Sequence, residues 1–179
     1  MASTSTPRHV TVDTLAGQWE LDPRASEIRI AHKTLWGLAT VKGQFQSFTG
    51  GGSVSADGAV TGTVTIDAAS LDTKNKKRDE HLRSKDFFDA QQFPSIVVEV
   101  SLAAIRDGDA QVRASLVVKG IREPLAFTGR IEEATAGALT LTGTFTADRE
   151  QFRMSWNQAG MIKGLTTVSF RIVFHRASS

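Results

Sequence analysis

The chain has 179 residues, of which 40% are hydrophobic and 22% charged, with a net charge of +2. That is one domain with a sizeable core, and the charge balance is too even for a nucleic-acid-binding face. It has no cysteine, which excludes disulfides, thiolate metal sites and a thiol nucleophile, and no apolar run approaches the roughly 20 residues of a membrane-spanning helix.

Residues 1–16 are polar and read as a flexible leader ahead of a single domain over 17–179. The opening MASTSTPRHVTVDTLAG lacks the apolar stretch of about 7–15 residues found in a secretory signal, so the expected location is cytoplasmic. From there the dominant signal has period two. Ile28 and Ile30 alternate with Glu27 and Arg29, and Val41 and Phe45 with Lys42 and Gln44. Gly50-Gly51-Gly52 reads as a break between strands. Val60, Val64 and Ile66 form a weaker alternating set, and Asp57-Gly58 before them is a hairpin dipeptide.

Ser70 to Glu99 interrupts this pattern as a long charged segment, with a short helix expected around Lys77–Lys85. Its basic residues, Lys74, Lys76, Lys77, Arg78, Arg83 and Lys85, are offset by Asp72, Asp79, Glu80 and Asp86, the composition of a solvated face. It closes on Phe87 and Phe88, with Phe93-Pro94 beyond. A charged excursion ending on bulky rings reads as a flap over one end of a β-structure, with one of the two rings plugging the mouth.

Alternation then resumes at Ile96, Val98, Val100 and Leu102. Asp107-Gly108 is a second hairpin signal, followed by Val112, Ala114, Leu116 and Val118. Leu139, Leu141 and Phe145 alternate with a ladder of Thr140, Thr142, Thr144 and Thr146, expected to face solvent, after a turn at Ala136-Gly137. Val168, Phe170, Ile172 and Phe174 complete the pattern. The chain is therefore all-β: roughly eight antiparallel strands joined by short hairpins, a barrel or a sandwich, with one helical segment inserted between strands.

Catalytic signatures are absent. There is no G-x-S-x-G, no phosphate-binding G-x-x-x-x-G-K-[ST] and no H-E-x-x-H. The four histidines, His9, His32, His81 and His175, are dispersed without chelating spacing, so no metal site is expected. His32 shares the inward parity of Ile28 and Ile30 and reads either as a satisfied core imidazole or as a hydrogen-bonding group for a ligand head. Ten Phe and three Trp, with no Tyr, either pack a solid core or line a cavity.

Several separated motifs carry a resemblance: LDPRAS at 21–26, VKGQFQSFTG at 41–50, SLDTKNKKRDEHLRSKDFFDAQQFPSI at 70–96, LVVKGIREPLAF at 116–127 and ADREQF at 147–152. In this order they resemble the YceI family of lipocalin-like, isoprenoid-binding proteins. The resemblance implies an extended antiparallel lipocalin-like barrel of about eight strands with one helical segment inserted between strands, and a long apolar pore holding a polyisoprenoid chain, often the tail of a quinone, in a protein that is frequently dimeric. The implied activity is non-catalytic binding and transport, with no catalytic residue and no cofactor beyond the bound lipid or quinone. The partners expected are the isoprenoid, a transient membrane-surface contact through the basic flap and a second copy in a homodimer.

On the inner wall or flap the expected lipid-binding residues are Ile28, Ile30, His32, Val41, Phe45 and Ile66. Leu82, Phe87, Phe88, Ile96, Val98 and Leu116 continue the wall, followed by Phe127, Leu141, Phe145, Phe152, Val168, Phe170 and Ile172. Two departures from the family pattern fall toward the expected polar end. Ala25 stands where His often precedes Ser26, and Arg153 stands where Gly usually follows Asp148-Arg149-Glu150-Gln151-Phe152. Two other readings remain open: a cavity enzyme of the isomerase or cyclase type using His32, and an interaction module with a solid interior.

Overall fold

The computed structural model describes residues 12–135 and 137–177. Residues 1–11 of the leader, His9 among them, and Ala136 of the expected turn lie outside the described residues. The described strands are β1 (Gly17–Leu21), β2 (Glu27–Thr34), β3 (Ala39–Phe45), β4 (Phe48–Val54), β5 (Val60–Asp67), β6 (Leu71–Asp72), β7 (Ser95–Arg106), β8 (Asp109–Val118), β9 (Ile121–Ala134), β10 (Ala138–Ala147) and β11 (Thr166–Arg176). A helical turn, α1 (Val12–Leu15), precedes them, and α2 (Lys76–Arg83) follows β6.

The strands run in eight antiparallel courses, because β1 and β2, β3 and β4, and β5 and β6 each lie end to end as one interrupted strand. The barrel closes on β11. One of its edges pairs with β10; the other takes β2 from Thr167 to Arg171 and β1 from Phe174 to Arg176. Eight strands make an interior that side chains can fill or that can hold one small ligand.

The sequence explains the interruptions. After β1, the Asp22 carboxylate accepts the N–H groups of Arg24 (2.9 Å) and Ala25 (3.3 Å), a local turn that competes with the ladder. Buried Ser26 then accepts the Val173 N–H at 2.9 Å, so the strand it interrupts loses no partner. Between β3 and β4, the Ser70 hydroxyl accepts the N–H groups of Gln46 (3.2 Å) and Ser47 (3.1 Å).

Asp107-Gly108 joins β7 to β8 with φ of 51° and 82°, the double positive φ of a two-residue hairpin turn. Lys119-Gly120 does the same between β8 and β9, with φ of 51° and 72°. Three expectations are corrected. Gly50-Gly51-Gly52 is not a break: it lies inside β4, whose backbone passes so close to β5 that a Cβ on Gly52 would sit 2.4 Å from the Thr61 carbonyl. Thr140 is buried rather than solvated, because the β9–β10 register shifts between Thr140 and Leu141. The helix ends at Arg83, short of Lys85, because the Ser84 hydroxyl and N–H both turn back to the His81 carbonyl.

One end of the barrel is solidly packed. A satellite cluster of Leu15, Trp19 and Val54, with Ile105, Leu139 and Phe174 against it, closes that end. The Trp19 indole N–H donates to the Leu15 carbonyl at 2.8 Å, and the Arg176 guanidinium lies 4.8 Å from the Trp19 ring centre.

Candidate functional site

The other end encloses an apolar cavity of about 260 Å³. Its walls follow the strand parity. Ile28, Ile30, His32 and Thr34 come from β2, Val41 and Phe45 from β3, Ile66 from β5, and Ile96 and Val98 from β7. Leu116 and Val118 of β8, Phe145 and Ala147 of β10, and Thr166 and Val168 of β11 complete the wall.

The floor is aromatic. Phe145 stacks on Phe127 with ring centres 5.5 Å apart, and Phe170 meets Phe127 edge-on at 5.4 Å. Room for Phe170 comes from its cross-strand partner Gly143, where a Cβ would stand 2.7 Å from the ring. Of the residues read as lipid-binding, Phe127, Leu141, Phe170 and Ile172 lie outside the cavity. They pack the interior below it, because inward parity continues past the floor. The remaining fifteen line the cavity.

Two segments cover the mouth. The first is α2 with the turn after it. The Asn75 carboxamide oxygen caps α2 by accepting the Arg78 N–H at 3.1 Å. Buried Asp79 accepts the Thr73 N–H (3.0 Å) and hydroxyl (2.6 Å), while Arg78 reaches back to the Thr73 hydroxyl and carbonyl, each at 2.7 Å. These bonds hold Thr73, Arg78, His81 and Leu82 against the cavity. Arg78 is thus part of its lining, while Lys74, Lys76, Lys77, Arg83 and Lys85 are exposed.

Phe87 and Phe88 lie beyond the helix, in a tight turn closed by bonds such as Asp89 N–H to the Ser84 carbonyl at 2.8 Å. Both touch the cavity. Buried Phe87 packs on Trp156 (5.6 Å) and His81 (5.1 Å), and half-buried Phe88 meets Phe45 edge-on at 6.3 Å.

The second cover is residues 148–165, which bring Arg149, Phe152, Met154, Trp156 and Ile162 to the cavity. Arg149 is buried. Its Nη1 donates to the Met154 carbonyl and, at 2.8 Å, to that of Trp156. Its Nη2 is buried without a hydrogen-bond partner, and the nearest carboxylate, exposed Glu150, stands 4.0 Å away. His32 is its counterpart. Nδ1 lies 2.8 Å from the Thr166 hydroxyl, while Nε2 is buried and unpartnered. Burial, and then the Arg149 charge, hold its pKa below the ordinary value.

The charge pattern is one-sided. The titratable side chains lining the cavity are His32, Arg78, His81 and Arg149; among the described residues no carboxylate lines it. Arg149 escaped the pattern reading because it sits in a short 3₁₀ turn, Arg149–Phe152, where strand parity no longer applies. Its signal was present in the ADREQF motif. Ala25 and Arg153 both lie outside the cavity and are exposed.

A closed eight-course barrel with one covered apolar cavity, carrying these motifs, can be set beside known proteins. The YceI-like domain matches residues 19–174. The chain belongs to the YceI family. A curated relative, UPF0312 protein SA2479 of Staphylococcus aureus, is 30% identical over 130 residues, covering 68% of this chain and 74% of that protein. Among solved YceI-like folds, BcnA of Burkholderia cenocepacia superposes with a TM-score of 0.77 at 21% identity, over 86% of this chain and 98% of that one. A polyisoprenoid-binding domain from Saccharophagus degradans superposes at 0.73 and 16% identity, over 89% and 98%. The lipocalin-like barrel is therefore the family's fold.

Proposed function

We propose that this YceI protein is a non-catalytic carrier that encloses an isoprenoid chain, with an oxygen-bearing head such as that of a quinone set against Arg149 and His32. The observation that carries this reading is a covered apolar cavity whose buried polar groups, Arg149 Nη2 and His32 Nε2, have no hydrogen-bond partner. Buried polar atoms are nearly always satisfied, and a buried donor left without a hydrogen bond is costly. A ligand oxygen would accept from Arg149 Nη2 and, with the His32 ring proton on Nε2, from that nitrogen as well.

The tail supplies most of the affinity. Burying on the order of 500 Å² of isoprenoid at about 25 cal/mol per Å² yields roughly 12 kcal/mol before association costs. The cavity, at about 260 Å³, lies just below the ~300–1,000 Å³ of typical ligand sites. A long tail therefore requires the flap or the aromatic floor to shift.

Native mass spectrometry of the purified protein tests the reading. A co-purifying mass of several hundred daltons, released by organic solvent and replaced by an added prenylated quinone, is the expected result. Ligand-free protein that also fails to take up the added quinone would overturn it.

A further inference from the structure

Among the described residues, four large apolar side chains are exposed: Leu35 (45%), Trp36 (58%), Leu38 (88%) and Leu165 (52%). They are not scattered. The first three occupy the turn that links β2 to β3. Leu165 immediately precedes Thr166, whose hydroxyl meets His32. The two segments touch, since the Trp36 N–H donates to the Met161 carbonyl at 3.2 Å. Thr34, Ile162 and Thr166, beside these tips, all line the cavity. The apolar patch is thus continuous with the cavity mouth. Leu35 and Trp36 hold φ of 51° and 56°, a conformation that bulky residues adopt at a cost.

The charge in the two chain stretches that carry the patch is nearly all positive. From Ile28 to Ala56 the chain has no Asp or Glu, and from Gln151 to Ser179 it again has none. Lys33, Lys42, Arg153 and Lys163 fall in these stretches, are exposed, and have no ion-pair partner among the described residues. Elsewhere acids outnumber bases, 19 against 14, which leaves the whole chain at only +2. An amphipathic Trp among leucines, on chain stretches whose exposed lysines are unpaired, has the chemistry that suits an anionic bilayer surface: apolar tips enter the headgroup boundary and the cations meet lipid phosphates.

We propose that the Leu35–Leu38 turn and Leu165 dock this protein on an anionic lipid bilayer, with the cavity mouth against the membrane so that ligand passes between them without crossing water. This rests on the carrier reading for its purpose but not for its test. It moves the membrane contact from the charged flap, where bases and acids are mixed, to the β2–β3 turn and the end of the 148–165 segment.

The test is co-sedimentation of the full chain with phosphatidylcholine vesicles, with and without phosphatidylglycerol. Binding only to the anionic vesicles, weakened by salt and falling about tenfold or more in Trp36→Ser and in Leu38→Ser, is the expected result. Both positions are exposed and neither lines the cavity, so uptake of a prenylated quinone in vesicle-free solution is unchanged in the same variants. Loss of that uptake in the parent chain sinks the carrier reading, whereas vesicle binding judges the docking surface alone. Absence of vesicle binding, equal binding to neutral vesicles, or variants that still bind as the parent does would overturn the proposal. So would variants that turn a dimer into a monomer while the parent ignores vesicles, since the patch would then seat a second copy.

Discussion

The imidazole Nδ1 of His32 lies 2.8 Å from the Thr166 hydroxyl, tying β2 to β11 at the cavity mouth and leaving Nε2 buried against the cavity. Burial, reinforced by the Arg149 charge, lowers its pKa from the ordinary 6.5. The folded state therefore binds this proton less readily than the unfolded chain does. The stability His32 contributes is complete above about pH 6.5, declines as the pH falls below that value, and levels off once the folded pKa is passed. In thermal melts between about pH 8 and pH 5, His32→Gln is expected to lose less stability than the parent chain. Equal losses would place the pH dependence elsewhere.

Arg149 contributes the cavity's unpartnered donor. Arg149→Met should weaken binding of a prenylated quinone by about tenfold or more, as loss of a charge-assisted hydrogen bond worth ~1.5–3 kcal/mol implies. Binding of a tail-only hydrocarbon should change little. Because Arg149 also holds the Met154 and Trp156 carbonyls, the variant is less stable, and the ratio of the two affinities is the quantity to read.

The Phe127, Phe145 and Phe170 floor sets how deep a tail can reach. Phe145→Leu should cost less than the roughly 3–5 kcal/mol of a full Phe→Ala truncation, while shifting preference toward longer prenyl tails. A competition series of quinones with increasing tail length measures this, and an unchanged length profile would show that the tail never reaches the floor.

The flap rings should differ in kind. Phe87 is buried between His81 and Trp156, so Phe87→Ala is expected to cost about 3–5 kcal/mol in urea unfolding. Phe88 is half-buried with its edge on Phe45, so Phe88→Ala should cost less and speed ligand dissociation. Equal destabilisation with unaltered release would make the pair plain core.

Arg153 follows the 3₁₀ turn with φ of 56° and ψ of 32°, the left-handed region that glycine enters freely. Its side chain is exposed and outside the cavity. Arg153→Gly should stabilise the fold by about 0.5–1 kcal/mol, the relieved strain slightly exceeding the added freedom of the unfolded chain. Denaturant midpoints compare the two.

The alternation of residues such as Ile28, Ile30, Val168 and Phe170 determined by itself that the chain forms strands and which face is buried, because side-chain direction in a strand depends only on parity. The Asp107-Gly108 turn was legible for the same local reason. Parity has no depth coordinate, so it could not separate Phe145, at the cavity, from Phe170 beneath it. That division required the actual stagger of β10 against β11 and the missing side chain at Gly143. Nor could local pattern bring Arg149 to His32, since 116 residues separate positions 32 and 149 in the chain. Barrel closure through β11 and the fold of the 148–165 segment brought their unpartnered nitrogens to one cavity, and only that long-range packing made a polar end for a ligand.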